Sequence, residues 1–226
     1  MTSARDDILA NIRRSLGVTG AEAPRRANVA MRLQNTPAGI IPERGQLSPA
    51  ARVAMFKHQA ERAQASVAEV AGPEDVPAEV ARFLRSQNLP ATVRMGADAR
   101  LAAMPWSQTA LEVTSGRSEG RDPNAVSHAF GGVAESGTLA MLSGPDNPTT
   151  LNFLPDNHIV VVSAGDIAGD YETIWARLRQ QVGQGTMPRT VNLITGPSRS
   201  ADIEQTLLLG AHGPRRLHII VVGAPA

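Results

Sequence analysis

Glu135 is the residue whose type and setting most invite chemistry. It stands in Gly131-Gly132-Val133-Ala134-Glu135-Ser136-Gly137-Thr138, a carboxylate among small side chains. Small neighbours leave such a carboxylate open to a ligand, as base or nucleophile; the same setting equally suits a carboxylate tied to the backbone N–H groups of an adjacent turn. Ser136, Gly137 and Thr138 add hydroxyls and a pliable backbone able to cradle an anion, and Gly132 permits close approach. A second cluster lies in Gly196-Pro197-Ser198-Arg199-Ser200-Ala201-Asp202. There Ser198 and Ser200 can accept hydrogen bonds from the free N–H groups of a helix start, and those N–H groups would also suit an anion. Asp202 competes for the same positive helix end. His212, between Gly210 and Gly213, is placed at a chain turn as an exposed ligand or proton carrier. The expected ligand-binding set is therefore Gly132, Ser136, Gly137, Thr138, Gly196, Ser198, Ser200, Asp202 and His212, with Glu135 the candidate catalytic group.

Other chemistries are excluded by composition. The chain has no cysteine, so disulfides, thiol nucleophiles and thiolate ligation of an iron–sulfur cluster by this chain alone fall away. No pair among the five histidines has the close helical spacing that favours zinc, and no metal site is expected. Dinucleotide, P-loop and nucleophile-elbow fingerprints are missing. A net charge of +1 and an aromatic content of 3% give neither the field nor the stacking surface that nucleic acid requires. The first twenty residues carry Arg5, Asp6, Asp7, Arg13 and Arg14 without an apolar run. That pattern predicts neither a secretory signal nor a membrane span, and the cytoplasm is the default.

The elements that must hold these residues alternate between strand and helix. Short apolar runs at 91–95, 111–114, 125–130, 138–142, 158–163 and 217–222 read as strands. Helical spacing predicts helices over 3–16, 49–67, 76–86 and 170–182. Such alternation predicts an α/β fold, a mostly parallel sheet with helices on both faces. Pro24, Pro37, Pro42 and Pro49 make 18–49 read as an irregular tether, so residues 1–48 form an N-terminal helix with an extended linker arm, and 49–226 the α/β domain. Thr190 to Pro214 reads as a buried strand at 191–194, a polar loop, and a helix with Asp202 and Glu204 in its first turn and Ile203, Leu207 and Leu208 on one face.

Four segments carry a resemblance. AESGTLAML (134–142), LPDNHIVVV (154–162), GPSRSADIE (196–204) and LGAHGP (209–214) occur in the order found in the LUD domain family, and the chain resembles its lactate utilisation protein C (LutC-type) members. DDILANIRRSLG near the N-terminus resembles the opening of those proteins. Ser136 and Ser200 stand where the family often has Thr, which keeps the hydroxyl. The resemblance implies a fold similar to the NagB/RpiA/CoA-transferase-like group. It also implies a part in oxidising L-lactate to pyruvate beside iron–sulfur partner proteins, which would carry the clusters while this chain binds no cofactor. A small anionic ligand would sit between the 131–138 and 196–204 loops. Two alternatives stay open: a stand-alone acyl- or sugar-phosphate-type enzyme using Glu135, and a ligand-binding module without chemistry.

Overall fold

A computed structural model describes residues 3–35, 37–183, 185–201 and 207–223. They fall into two compact units, the first ending at Ile40 and the second starting at Ile41. The first unit holds helices α1 (Ala4–Leu16) and α2 (Ala23–Asn35). Ser3 caps α1 through a reciprocal box, accepting from Asp6 N while the Asp6 carboxylate accepts from Ser3 N, and Gly17 closes the helix in the left-handed region. Helix α2 replaces part of the expected irregular tether. Its only proline is Pro24, in the first turn, where a missing N–H costs nothing; Pro37 lies beyond its end.

The second unit is built from α3 (Pro49–Arg62), β1 (Ser66–Val70), α4 (Val76–Ser86), β2 (Thr92–Met95), α5 (Ala99–Ala102), β3 (Glu112–Ser115), β4 (Asn124–His128), β5 (Gly131–Val133) and β6 (Thr138–Leu142). It continues through α6 (Thr149–Phe153), β7 (Asn157–Ser163), β8 (Ile167–Ala168), α7 (Tyr171–Val182), β9 (Val191–Ile194), β10 (Arg199–Ala201), β11 (Leu207–Leu209) and β12 (Arg216–Val222). Six strands form one all-parallel sheet in the order β1-β12-β7-β4-β2-β3. This is the expected α/β architecture.

The continuous apolar runs of β7 and β12 follow from burial on both faces. On one face Val160, Val162, Leu217, Ile219 and Val221 pack under Val53, Phe56 and Ala60 of α3. On the other, Ile159, Val161 and Ile220 meet Val76, Val80, Phe83 and Leu84 of α4 and Leu101 of α5. Phe56 is fully buried, a contribution of about 2–3 kcal/mol. At the amino-terminal edge an amide ladder staples the strands. Asn124 Nδ2 donates to the Pro90 and Thr92 carbonyls, and Asn157 Nδ2 donates to Asn124 Oδ1 at 2.9 Å.

A second sheet, in the order β8-β5-β6-β9, was not anticipated. Strand β9 pairs antiparallel with β6 at its edge and leaves Leu193 exposed, so 191–194 is not the buried strand expected. The stretch after it is also different. Strands β10 and β11 form an antiparallel hairpin where a helix was expected. Ser198 fastens its base: Ser198 N donates to the Pro214 carbonyl at 2.8 Å, Gly210 N to the Ser198 carbonyl at 3.0 Å, and His212 N to Ser198 Oγ at 3.3 Å. The hydroxyl read as a helix cap thus closes a hairpin, because Leu207, Leu208 and Leu209 are consecutive and pair as a strand rather than spacing as a helix face. Asp202 and Glu204 lie outside the described residues.

Candidate functional site at the carboxyl edge of the sheet

From β2 the chain runs outward to β3, whereas from β4 it runs the opposite way to β7. The carboxyl ends of β2 and β4 therefore diverge, and such a switch point opens a crevice where α/β proteins bind ligands. Here it is a cavity of about 600 Å³ lined by Asp98, Arg100, His128, Phe130, Ser143 and Asn147, among others. A neighbouring cavity of about 430 Å³, walled by Ala103, Met104, Pro105 and Val161, shares Arg100 and His128 with it.

The polar groups are positioned by local structure. Asp98 caps the short helix α5, accepting from Arg100 N at 2.9 Å. The same carboxylate receives the Arg100 side chain through Nε at 3.0 Å and Nη2 at 2.6 Å. Burial opposes ionisation of Asp98, but these bonds outweigh it and hold the carboxyl below its ordinary range. Asp98 in turn raises Arg100, which stays a fixed cation. His128 ends β4 and is buried, and its Nδ1 lies 2.8 Å from the Ala129 carbonyl. A carbonyl only accepts, so Nδ1 carries the proton and Nε2 is a bare acceptor. Burial first, then the Arg100 charge, push the imidazole below its ordinary value, so it is neutral at neutral pH. Beside the crevice Arg177 is held by Asp166 at 2.5 Å and lies 5.3 Å over the Phe130 ring. A guanidinium and a neutral base in one crevice can bind a carboxylate and accept a proton from a nearby hydroxyl.

The residues singled out from sequence lie elsewhere. Gly132, Glu135, Ser136, Gly137 and Thr138 sit on β5, its turn and β6. Glu135 is 5% exposed and lies 3.7 Å from Arg44. Gly45 and Gly169 bring that arginine in: they meet backbone to backbone, and a Cβ on either would overlap the other's carbonyl. Thr138 Oγ1 is the hub of a hydroxyl cluster, 2.7 Å from Ser136 Oγ, 2.8 Å from Tyr171 OH and 2.7 Å from Thr195 Oγ1. Gly137 turns the chain with φ +65°, and a Cβ there would overlap the Ala60 backbone of α3. Gly196, Ser198 and His212 line a separate cavity of about 250 Å³. Ser200 stands on β10 opposite Leu208. The Thr138–Thr195 bond ties the first expected loop to the residue that precedes the second, and Glu135 lines none of the three cavities described above. Asp98, Arg100 and His128 escaped the sequence reading as a group. His128 is legible from sequence only as one of several histidines able to bind a ligand or carry a proton, and Asp-x-Arg only as a pair just after a predicted strand; strand order, which brings them together, is not written in the sequence.

Residues 124–222, from β4 through β12, match the family model described as LUD domain. Over that segment the chain is similar to the LUD domain family. Its relatives include Lactate utilization protein C of Geobacillus thermodenitrificans, 34% identical over 52% of this chain and 52% of that protein. Lactate utilization protein C of Bacillus subtilis is 38% identical over 40% of this chain and 38% of that protein. The chain spans about half the length, or less, of the curated relatives it matches. A crystal structure of a DUF162 family protein from Deinococcus radiodurans superposes with a TM-score of 0.55 at 23% identity, covering 78% of this chain and 99% of that one. That likeness establishes a shared fold. Among the described residues no helix is long and apolar enough to cross a membrane.

Proposed function

We propose that this chain serves L-lactate utilisation as a subunit that works with iron–sulfur partner chains in the oxidation of lactate to pyruvate. The observation that carries the reading is the kinship of its LUD domain with several proteins called Lactate utilization protein C. Oxidation of a 2-hydroxy acid to a 2-oxo acid releases two electrons and two protons. In this reading Arg100 holds the carboxylate, and His128 Nε2 accepts the hydroxyl proton. The Cα–H bond breaks as well, its hydrogen and electron pair passing to an acceptor on the partner chains, which would hold the clusters. This chain's residues do not suit such a cluster: it has no cysteine, and among the described residues no group of three His, Asp or Glu side chains converges. A stand-alone acyl- or sugar-phosphate-type enzyme using Glu135 has less support, because that carboxylate is buried beside Arg44 and away from the cavities.

The test is turnover. The purified chain given L-lactate and an artificial electron acceptor is expected to be inactive, and to gain activity when iron–sulfur partner chains are added. Arg100→Met in the reconstituted system is expected to raise KM for lactate about 10-fold or more, since a charge-assisted carboxylate contact is lost. Lactate oxidation by the chain alone, or a covalent acyl adduct on Glu135, would overturn the proposal.

A further inference from the structure

Ser66 and His218 stand opposite each other in the register of β1 and β12, so their side chains leave the sheet on the same face. Helix α4 packs on that face. It brings Glu79 from its first turn onto the imidazole and stacks Phe83 on the ring, with centroids 4.1 Å apart and planes 5° from parallel. Ser66 Oγ lies 2.8 Å from His218 Nδ1, and His218 Nε2 lies 3.0 Å from Glu79 Oε1. Arg82, three residues further along α4, completes the chain of bonds: its Nε donates to Glu79 Oε2 at 2.6 Å and its Nη2 to Oε1 at 2.5 Å.

The bonds fix where the protons sit. Burial opposes ionisation of Glu79, but the Arg82 fork and the neighbouring imidazole outweigh it and hold the carboxyl below its ordinary range, so it is a carboxylate at neutral pH. A carboxylate only accepts, hence His218 Nε2 carries the ring proton. Burial pushes the imidazole below its ordinary value, against the pull of Glu79. The ring is therefore neutral at pH 7, Nδ1 is bare, and the Ser66 hydroxyl donates to it. Nucleophile, base and orienting carboxylate follow in line, the arrangement that activates a hydroxyl. The side chains of His218 and Glu79 are only 2% and 10% exposed, so little water competes for these bonds.

The hydroxyl end of this relay faces solvent. Ser66 is exposed, and β1 is an edge strand that pairs with β12 alone. Gly223 N donates to the Val70 carbonyl, which sets the phase of the ladder: Val70, Ala68 and Ser66 turn their backbone groups toward β12, whereas Val67 and Glu69 turn theirs to the open edge. With its N–H and C=O directed into the sheet, Ser66 owes its exposure largely to its side chain. The same phase directs the N–H of Val67, the residue after Ser66, out of the sheet edge with no strand partner among the described residues. It is a donor available to the oxygen of a carbonyl that Ser66 attacks. Ser66 lines none of the three cavities described above, so its substrate meets it on the open edge and is small.

We propose that Ser66 is a nucleophile that takes the acyl group of small activated esters and thioesters, with His218 as its base and Glu79 as the residue that positions His218. Ser66 Oγ bonds to the acyl carbon as its proton passes to His218 Nδ1. The carbon–oxygen or carbon–sulfur bond to the leaving group breaks, and the leaving phenolate or thiolate takes that proton away. Water then repeats the sequence on acyl-Ser66, releasing the carboxylic acid and restoring the hydroxyl. The imidazolium formed in the first step is the acid that the relay supplies, which suits leaving groups that depart as stable anions. None of the crevice residues takes part, so the proposal stands or falls independently of the lactate reading.

The experiment gives the full chain 4-nitrophenyl acetate, and in parallel a fluorophosphonate, followed by mass mapping of the modified peptide. An acetyl group and a phosphonyl group are expected on Ser66, with a burst of nitrophenolate approaching one per chain. Ser66→Ala, at an exposed position, is expected to lose the burst, with a thermal melt checking the fold. Glu79→Gln presents an amide that can donate to Nε2 and so favours the wrong tautomer; it is expected to slow acylation about 100-fold or more. The pH profile separates activation from a merely structural network. With Glu79, Arg82 and Ser66 as the polar groups on the imidazole, His218 is already neutral at pH 7, so the parent rate is expected to be flat from pH 7 to 9. A serine without a base would instead gain about 10-fold per unit as its hydroxyl ionises. The proposal is overturned if neither probe modifies Ser66, if Ser66→Ala keeps the burst, if a folded Glu79→Gln reacts like the parent, or if the parent rate climbs about 10-fold per pH unit.

Discussion

Lowering the pH from 7 to 5 should destabilise this protein through its buried histidines, and His158 gives the effect a size. Burial pushes its folded pKa from 6.5 down to about 3. The unfolded chain then takes up a proton that the folded chain refuses, so stability is complete above about pH 6.5 and falls as the pH drops through the interval down to about 3. One proton corresponds to about 1.4 kcal/mol per pH unit; integrated from pH 7 to 5 with an unfolded value near 6.5, His158 accounts for a loss of about 2 kcal/mol. His128 and His218 are also held down, both by burial first, and act in the same direction. The carboxylates Glu79, Asp98 and Asp170 have lowered values too, but their contribution is lost mainly below their unfolded values of 4.5 and 3.8, outside most of this window. The assay is urea denaturation at half-unit pH steps, for the parent and for His158→Gln. The variant should be less stable at pH 7, yet lose about 2 kcal/mol less than the parent between pH 7 and 5. Parallel pH profiles for the two proteins would refute the reasoning, as would an imidazole resonance of His158 that titrates near pH 6.5.

Two further substitutions probe the turn between β5 and β6, one its packing on α3 and the other its hydroxyl cluster. Gly137→Ala puts a side chain into a left-handed turn and against the Ala60 backbone, and is expected to cost about 2–4 kcal/mol, read as a fall in the denaturation midpoint. Thr138→Val keeps the volume but leaves Tyr171 and Thr195 each short of a hydroxyl partner; a loss of about 1–3 kcal/mol is expected, and a double-mutant cycle with Tyr171→Phe should show coupling between them.

The main sheet was legible because burial on both faces leaves a local imprint. HIVVVS and LHIIVV are apolar without alternation, and each emerges as a strand of the parallel sheet. Helix α1 was legible from Ser3, Asp6 and Gly17, whose capping roles are short-range. The pairing of β10 with β11 was not, because three-residue strands carry too little periodicity to outweigh apparent cap residues. Glu135 drew attention as a carboxylate among glycines, but those glycines are explained by close packing: a Cβ on Gly132 would lie 2.9 Å from the Phe56 ring.

By itself the sequence determined the α/β class, the absence of thiol chemistry and the LUD kinship, since these depend on residue type and local order. Only the tertiary structure decided where chemistry can gather. Asp98, Arg100 and His128 line one cavity because β2 and β4 are neighbours whose onward connections diverge, and Asn152 and His158 line another because α6 packs beside β7. Neither adjacency is encoded in spacing along the chain; each follows from the order in which buried strands pair, a property of the whole sheet.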